Sequence, residues 1–321
     1  MQTELLACLD NRILNLFILP TEKCNFRCSY CYEDYKIGKM KRPTINGIKA
    51  LIKHRIEDGL KLLDISWFGG EPLLGYEIVE EISEFSTNLS FNYSDFEYKA
   101  SMTTNGYFLK TDKWRKLCDL GIKSFQISLD GDEHTHNKTR HLASGDATFH
   151  TIWNNLIDFH NSNIVAEVIL RIHFSPENYM MLGSLIDKVN KELSGDKRFK
   201  VYFKSIERLG GSNDASISTF DVLQKTEISD SLYKQIDLDK FIVDLNTYIC
   251  YASRANSFVI RANGDIAKCT VAFNDQRNQV GYLNEDGSMK INNEHFRLWL
   301  TGLETGNRET LACPYHNFKK L

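Results

Sequence analysis

Thr21-Glu22-Lys23-Cys24-Asn25-Phe26-Arg27-Cys28-Ser29-Tyr30-Cys31-Tyr32 is the stretch that decides the fold, and it directly follows an apolar run at residues 13–19. Its three cysteines have the spacing C-x3-C-x2-C. Three thiolates on one short loop can hold three irons of a [4Fe–4S] cluster and leave the fourth iron without a protein ligand. Zinc is the main alternative, but it usually takes four ligands built from C-x2-C pairs. The spacing therefore favours an iron–sulfur cluster with an open iron, which is suited to catalysis.

The composition is that of an ordinary globular protein. The chain has 321 residues, of which 42% are hydrophobic and 25% charged, and a formal net charge of −3 gives no bias towards nucleic acid or anionic membranes. A basic run at residues 36–42 is local, and we interpret it as a solvated loop. No apolar stretch approaches the roughly 18 residues of a membrane span, and no charged-then-apolar leader opens the chain. These features predict a cytoplasmic protein.

Strand and helix patterns alternate along the first two thirds of the chain. Predicted strands lie at residues 13–19, 62–67, 98–103, 124–129, 165–172 and 200–205. Apolar residues at helical spacing predict helices at 45–56, 75–87, 112–120, 149–156 and 178–193. Apolar strands followed by helices favour a parallel sheet covered by helices. Because six such units are fewer than the eight of a full barrel, we expect an α/β fold with an open or partial barrel.

The amino-acid composition of the chain changes after residue 210. Residues 211–235 are rich in Ser, Asp, Thr and Lys and read as a linker, and a helix is predicted at about 238–250. Two apolar runs then flank Ala262-Asn263-Gly264-Asp265, and Asn-Gly in that position is a strong hairpin signal. A last helix is predicted near 293–301. We therefore expect two domains, a partial barrel at 13–210 and a linker with a smaller domain at 211–321.

Cys24, Cys28, Tyr30 and Cys31 form the pattern C-x3-C-x-aromatic-C after the first strand. This pattern resembles the signature of the radical S-adenosylmethionine (SAM) enzymes, and the resemblance covers about residues 13–313. It implies a partial (β/α)6 barrel, a SAM-binding [4Fe–4S] cluster and SAM itself. In that family SAM chelates the open iron, and an electron, from a donor such as flavodoxin or ferredoxin, cleaves it to a 5′-deoxyadenosyl radical. That radical abstracts hydrogen from the substrate.

Gly69-Gly70-Glu71-Pro72 follows the second predicted strand. The glycines let backbone approach a ligand closely, and Glu71 with neighbouring carbonyls can accept hydrogen bonds from an ammonium group. Taken alone, the motif is equally a plain turn. The resemblance implies that it binds the amino group of SAM.

Four further polar residues follow the third to fifth strands. Asn105 and Ser128 lie in sequences that are also common in turns, and the resemblance implies that they face SAM. Arg140, which ends a His-x3-Arg motif like one in the family, and Arg171 are candidates for the SAM carboxylate. A guanidinium group matches a carboxylate bidentately. Each arginine is equally compatible with an ordinary salt bridge.

A second cysteine set lies near the C-terminus. The pattern Cys250-x13-Gly264-x4-Cys269 resembles the opening of the SPASM and twitch extensions, which carry auxiliary clusters in peptide-modifying radical SAM enzymes. With Cys313, three thiolates would hold one auxiliary [4Fe–4S] cluster, with His316, another cysteine, solvent or substrate as fourth ligand. Because a full SPASM extension has more cysteines, the predicted domain is a shortened one. An extension that has lost its cluster is the alternative.

The resemblance implies a function as a maturase of ribosomally made peptides (RiPPs), which forms a crosslink, thioether or epimer. Its expected partner is a precursor peptide, recognised through the C-terminal region, a sheet edge or a separate leader-recognition protein, because few residues precede the first strand. Three alternatives remain: modification of a small molecule or nucleotide, formylglycine formation in a protein, and a metal-stabilised binding module without catalysis. The catalytic base is unassigned, with Asp265, Glu207 and Lys204 as candidates.

Overall fold

The structure is a computed structural model, and it describes residues 2–244 and 247–318. The chain divides into two compact units. Unit 1 comprises Met1–Lys23, Tyr35–Ser101 and Val243–Leu321, and unit 2 comprises Cys24–Asp34 and Met102–Ile242. The division separates the cysteine loop, which belongs to unit 2, from the C-terminal cysteine set, which belongs to unit 1.

The described residues form alternating strands and helices. The strands are β1 (Ile13–Ile18), β2 (Leu62–Trp67), β3 (Glu97–Thr104), β4 (Ile122–Leu129), β5 (Glu167–Phe174), β6 (Phe199–Ser205), β7 (Asp239–Lys240), β8 (Ser257–Ile260), β9 (Asp265–Ala267), β10 (Gln279–Leu283) and β11 (Met289–Ile291). The helices are α1 (Gln2–Ala7), α2 (Arg42–Glu57), α3 (Tyr76–Asn92), α4 (Thr111–Asp119), α5 (Glu133–Thr139), α6 (Phe149–His160), α7 (Gly183–Leu193), α8 (Val222–Tyr233), α9 (Asn293–Thr305), α10 (Arg308–Ala312) and α11 (Pro314–Phe318). The predicted α/β class is confirmed.

In unit 1 the strand order is β11-β10-β9-β8-β1-β2. Strand β1 pairs in parallel with both β2 and β8, and β8 to β11 form an antiparallel meander. The meander begins with the predicted hairpin, whose turn contains Gly264 at a φ of 93°. Strand β1 buries Leu14, Leu16 and Ile18 and leaves the alternate side chains half-buried. Each such buried side chain stabilises the unit by about 1.5–3 kcal/mol.

In unit 2 the strands β4-β5-β6-β7 are all parallel. Their core includes Trp114 of α4, whose ring centre lies 4.5 Å from that of Phe125 and 4.6 Å from that of Phe159. Successive side chains of a strand point to opposite faces. On β6, Val201 and Phe203 are therefore buried, whereas the intervening residues are half-exposed. One face of this sheet is apolar and the other is polar.

Two predictions for the C-terminal third are wrong. The segment predicted as a linker at 211–235 contains α8, whose first turn is closed by a capping box between Asp221 and Gln224. Because α8 exposes Val222 and Leu223 and fully buries only Leu232, its helical pattern in the sequence is weak. The helix predicted at 238–250 is absent from its described residues, 238–244 and 247–250. Strand β7 pairs there with β6 instead.

The helix predicted near 293–301 is present as α9, whereas the short elements α1, α5, β10, β11, α10 and α11 have no counterpart among the predictions. The domain boundary at residue 210 stays a prediction. Among the described helices, none combines the length and apolar character needed to cross a membrane.

Candidate cluster and SAM sites

The cysteine loop of unit 2 presents three half-buried thiols that are not in disulfides, those of Cys24, Cys28 and Cys31. The backbone N–H of Phe26 donates to Cys24 Sγ at 3.3 Å, and the N–H of Cys31 donates to the carbonyl of Cys28 at 3.1 Å. Burial raises the pKa of the Cys28 thiol to about 11. Such a thiol ionises when a metal displaces its proton, so metal loading of this loop releases protons.

The loop is tied to the segment that follows α5. Backbone N–H groups of Arg27 and Ser29 donate to the carbonyls of His141 and Thr139, both at 2.9 Å, and Ala143 N–H donates to Asn25 O at 2.7 Å. These bonds form a short ladder between two loops of unit 2. They fix the backbone on which the three cysteines stand.

Tyr30, predicted to contact SAM, lies in a polar network. Arg140 Nη1 donates to the Tyr30 hydroxyl at 2.8 Å, and that hydroxyl donates to Asp130 Oδ1 at 2.9 Å. His173 Nδ1 lies 3.1 Å from both the hydroxyl and Asp130 Oδ1, and Thr139 Oγ1 donates to Asp130 Oδ2 at 2.7 Å. Sequence reasoning missed His173, because a histidine at the end of an apolar strand carries no pattern of its own.

The network is charged at Asp130 and neutral at His173. Burial acts to raise the pKa of Asp130, but the hydrogen bond with His173 and the charge of Arg140 lower it well below its usual range. Burial lowers the pKa of His173 to about 4. An ionised carboxylate and a guanidinium group therefore hold the Tyr30 hydroxyl from two sides.

Of the other predicted SAM residues in unit 2, Asn105 lies beside the cysteine loop, and Ser128 and Arg171 lie on neighbouring strands. Asn105 Nδ2 donates to Asn25 Oδ1 at 2.8 Å and lies 4.0 Å from Cys24 Sγ. Ser128 and Arg171 are direct partners in the β4–β5 register. The Nε atoms of Arg140 and Arg171 are buried and have no hydrogen-bond partner among the described residues. Since buried donors are normally satisfied, these two guanidinium groups fit an anionic ligand such as the SAM carboxylate.

The Gly-Gly-Glu-Pro motif lies in unit 1 against residues 21–23. A Cβ atom on Gly70 would come 2.5 Å from the carbonyl oxygen of Lys23, and Gly69 has a φ of 117°. Glu71 is fully buried; its N–H donates to the same carbonyl at 3.0 Å, and its Oε1 accepts from Leu73 N–H at 3.0 Å. The two glycines are thus required by backbone contact within the protein. The binding of the SAM amino group by this motif stays a prediction.

The C-terminal cysteines, Cys250, Cys269 and Cys313, are free and half-buried in unit 1. The pKa of Cys250 is raised by burial to about 11, with smaller contributions from the negative charges of Cys269 and Cys313. Asn278 holds the backbone of Cys269, since its Oδ1 accepts from Cys269 N–H at 2.9 Å and its Nδ2 donates to Cys269 O at 2.8 Å. Val271 N–H donates to Cys269 Sγ at 3.4 Å.

The donor chemistry fits clusters better than single ions. Within residues 2–244 and 247–318, no group of three or more His, Cys, Asp or Glu side chains is arranged to hold one metal ion. In a [4Fe–4S] cluster each thiolate binds a different iron, so the sulfurs need no common centre. Thiols that accept backbone N–H groups, as at Cys24 and Cys269, suit such ligands. His316, a suggested fourth ligand, is exposed on α11.

Lys268, beside Cys269, is a second residue that sequence reasoning missed. It is fully buried, and its Nζ donates to the carbonyls of Arg254 and Ser257 at 2.5 and 2.6 Å. Nζ also lies 5.3 and 5.1 Å from the ring centres of Phe258 and Phe296. Burial lowers its pKa to about 7. Lys268 directly follows β9, and because a lysine usually faces solvent, the sequence holds no signal for its burial.

The three candidate bases are engaged with neighbouring side chains. Glu207 Oε1 lies 3.3 Å from the Nζ atoms of both Lys204 and Lys225. Asp265 accepts from Asn263 Nδ2 at 2.7 Å and from Gln279 Nε2 at 2.9 Å. The catalytic base stays unassigned.

The cysteine loop, the α/β fold and the guanidinium groups of Arg140 and Arg171, whose Nε atoms have no partner among the described residues, fit an iron–sulfur enzyme that binds SAM. A profile of the radical SAM superfamily matches residues 18–189, and the chain belongs to that superfamily. It is an enzyme whose cofactors are a SAM-binding [4Fe–4S] cluster and SAM, and enzymes of this class use a reductant.

The curated relatives and the solved structures to which this chain is similar have different names. The GTP 3′,8-cyclase of Aliarcobacter butzleri is 36% identical over 36% of this chain and 34% of its own length. That of Staphylococcus haemolyticus is 28% identical over 72% of this chain and 64% of its own length. The chain thus spans between a third and two thirds of these relatives. Among structures, anSMEcpe with AdoMet and the Kp18Cys peptide has a TM-score of 0.68 at 17% identity, covering 90% of this chain and 84% of its own.

Streptococcus suis SuiB bound to precursor peptide SuiA has a TM-score of 0.60 at 15% identity, and the match covers 97% of this chain and 72% of SuiB. Identities this low show a shared fold alone. The prediction of a peptide maturase is therefore corrected: the curated relatives carry the name of a nucleotide cyclase, which agrees with the small-molecule alternative. A precursor peptide and a leader-recognition protein as partners are not confirmed by these likenesses.

We expect Gly70→Ala to weaken SAM binding, because the added Cβ would collide with the Lys23 carbonyl that precedes Cys24. Overpacking of this kind costs about 1–3 kcal/mol, and we expect the Kd for SAM to rise about tenfold or more. Equilibrium dialysis of the reconstituted protein measures it. Gly183→Ala is the matched control, since its Cβ would meet nothing within 4 Å. Wild-type SAM affinity in Gly70→Ala would contradict the role of this contact.

We expect substitutions in the two cysteine sets to have different effects on SAM cleavage and on the iron content of the protein. Alanine at Cys24, Cys28 or Cys31 should abolish SAM cleavage, measured as 5′-deoxyadenosine. Alanine at any cysteine of the C-terminal set should remove about four irons per chain and impair product formation, with some SAM cleavage surviving. The buried thiol of Cys118 provides the control, because Cys118→Ala should keep full iron. Unchanged iron in the C-terminal variants would exclude an auxiliary cluster.

Proposed function

We propose that this enzyme carries out a radical SAM modification of a nucleotide, with GTP as the first candidate substrate. Two kinds of observation support it. Curated relatives named GTP 3′,8-cyclase match the chain at 28–36% identity. In addition, unit 2 contains a polar sheet face that carries several cations, and this face is the structural observation on which the proposal rests.

The face is formed by alternate residues of β5 and β6. The β5–β6 register pairs Arg171 with Tyr202 and His173 with Lys204, so these side chains share one side of the sheet. The residues between them on β6 are buried and apolar. Arg171, Tyr202 and Lys204 are only partly buried, so a ligand can reach them, whereas His173 is buried.

Cations predominate on this face. Lys200 pairs with Glu167, and Lys204 shares Glu207 with Lys225, so one carboxylate serves two ammonium groups. Arg171, which is predicted to hold SAM, lies on the same face of the sheet. A polyphosphate chain would supply the missing negative charge, and arginine and lysine are the usual phosphate ligands.

In this proposal Cys24, Cys28 and Cys31 hold the SAM-binding cluster, and the residues predicted to hold SAM are Tyr30, Gly69, Gly70, Glu71, Asn105, Ser128, Arg140 and Arg171. Bound SAM, with an electron from the cluster, supplies a carbon radical able to break an unactivated C–H bond. The electron donor is of the flavodoxin or ferredoxin type. The C-terminal domain is a shortened SPASM/twitch-like one, in which Cys250, Cys269 and Cys313 hold an auxiliary [4Fe–4S] cluster.

We expect GTP to stimulate SAM cleavage by the reconstituted, anaerobic enzyme with dithionite as reductant. The measurement is 5′-deoxyadenosine formed with GTP, with guanosine and without addition, together with loss of GTP by chromatography. The Cys24→Ala variant provides the blank. Guanosine should stimulate less than GTP, because it lacks the phosphates that the cationic face would bind. If no nucleotide or nucleoside stimulates cleavage or is consumed, the proposed substrate class is wrong.

Lys204→Met should raise the KM for GTP about tenfold and leave the affinity for SAM unchanged. A hydrogen bond to a charged group is worth about 1.5–3 kcal/mol, which corresponds to such a factor. Lys197→Met is the matched control, since Lys197 also pairs with a carboxylate, Asp239, at 3.3 Å but outside this face. An equal effect of the two substitutions would count against phosphate binding on β6.

A further inference from the structure

Arg261 makes a bidentate ion pair with a residue two positions before Cys24. Its Nε lies 3.1 Å from Glu22 Oε1 and its Nη2 lies 2.6 Å from Glu22 Oε2. The Glu22 side chain is 1% exposed and that of Arg261 is 18% exposed. Both residues belong to unit 1. A buried carboxylate held at both oxygens by one guanidinium group is geometrically specific as well as strong.

The pair continues the backbone pairing of two parallel strands. Ile18 of β1 is the register partner of Ile260 of β8, and Leu19 N–H donates to Ile260 O at 3.0 Å. Arg261 directly follows the last residue of β8. The chain segments that leave β1 and β8 therefore start side by side, and Glu22 meets Arg261 just beyond the last backbone bond.

The backbone and the guanidinium group of Arg261 are both fixed. Its N–H donates to Asp265 O at 2.9 Å, and its carbonyl accepts from Gly264 N–H at 3.0 Å, which closes the β8–β9 turn. The guanidinium carbon lies 4.5 Å from the ring centre of Phe273. A guanidinium group that is stacked on a ring and anchored through its backbone can act as a rigid contact for Glu22.

The segment that Arg261 holds is the one that Gly69, Gly70 and Glu71 hold from another strand. Thr21 O and Lys23 O contact those glycines, and Lys23 O accepts the N–H of Glu71. Glu22 lies between these two carbonyls, so its side chain adds an electrostatic anchor to the backbone contacts. Lys23 is bonded directly to Cys24, the first cysteine of the loop.

We infer that Arg261 is a positioning residue for the SAM-cluster loop: its ion pair with Glu22 sets where the chain enters the loop at Cys24. Arg261 lies within the Cys250-to-Cys269 pattern, so that pattern would also help to position the start of the N-terminal cysteine loop. The role concerns the binding of SAM and the environment of its cluster. It does not depend on the identity of the substrate.

The test uses the reconstituted holoenzyme and the variants Arg261→Met, Arg261→Lys and Glu22→Gln. Loss of contacts that orient metal ligands typically costs 10–100-fold, so we expect Arg261→Met to raise the Kd for SAM about tenfold or more. We also expect it to alter the change that SAM produces in the electron paramagnetic resonance spectrum of the reduced cluster. Arg261→Lys should fall between Arg261→Met and wild type, because lysine keeps the charge and loses the bidentate geometry.

Arg198→Met separates positioning from simple stabilisation. Arg198 also makes a bidentate pair, with Asp196 at 2.9 and 2.6 Å, but on the loop before β6. The Arg198→Met substitution should lower the unfolding temperature, while the Kd for SAM and the cluster spectrum stay as in wild type. The inference is overturned if Arg261→Met lowers the unfolding temperature and leaves both SAM readouts unchanged.

If Arg261→Met does not fold, the Glu22→Gln variant provides the test of the positioning role. An amide keeps the shape of the side chain and removes its charge, so it should weaken SAM binding several-fold in a protein that retains full iron. Wild-type SAM affinity together with a wild-type spectrum in Glu22→Gln would equally overturn the inference.

Discussion

The constraint on which the N-terminal half of unit 1 depends is the close approach of the Gly69-Gly70 backbone to residues 21–23. Carbonyl oxygens of that segment lie where any side chain at residue 70 would be, and Glu71 N–H binds one of them. Since β1 and β2 are parallel neighbours, the chain segments that follow them begin side by side at their carboxyl ends. The segment leading into Cys24 is therefore fixed by backbone contacts before any cofactor binds. Its side-chain anchor, the Glu22–Arg261 ion pair, comes from the other parallel neighbour, β8.

Unit 2 fixes the cysteine loop by different means. A ladder of backbone hydrogen bonds joins the loop to residues 139–143, and the Tyr30 hydroxyl lies between Arg140 and Asp130. A buried carboxylate is costly unless it is paired and hydrogen-bonded. Asp130 meets that condition through Tyr30, Thr139 and His173. Among the described residues, the buried Nε atoms of Arg140 and Arg171 have no hydrogen-bond partner, and they fit a carboxylate ligand.

The cofactor chemistry and the substrate rest on different parts of the molecule. The cysteine pattern predicts a radical SAM enzyme because the cluster needs three thiolates on one short loop, which is a local requirement. The C-terminal cysteines indicate an auxiliary cluster and carry no information about the substrate. A peptide substrate therefore does not follow from them. The proposed nucleotide substrate rests instead on the polar face of β5 and β6, with its excess of cations.

The sequence by itself determined the α/β class, the first six strands, the hairpin after β8 and the cysteine loop. Each of these depends on residues close together in the chain: strand alternation, an Asn-Gly turn and motif spacing. It did not predict α8, because that helix is closed by its Asp221 capping box and fully buries only one apolar side chain, that of Leu232. It also misplaced the helix near 238–250, where pairing with β6 overrides local propensity. Only the tertiary structure decided that Glu22 meets Arg261, 239 residues away, that Tyr30 meets Arg140 and that Lys268 is buried between two phenylalanines. Such contacts follow from which strands become neighbours, and no local pattern specifies that choice.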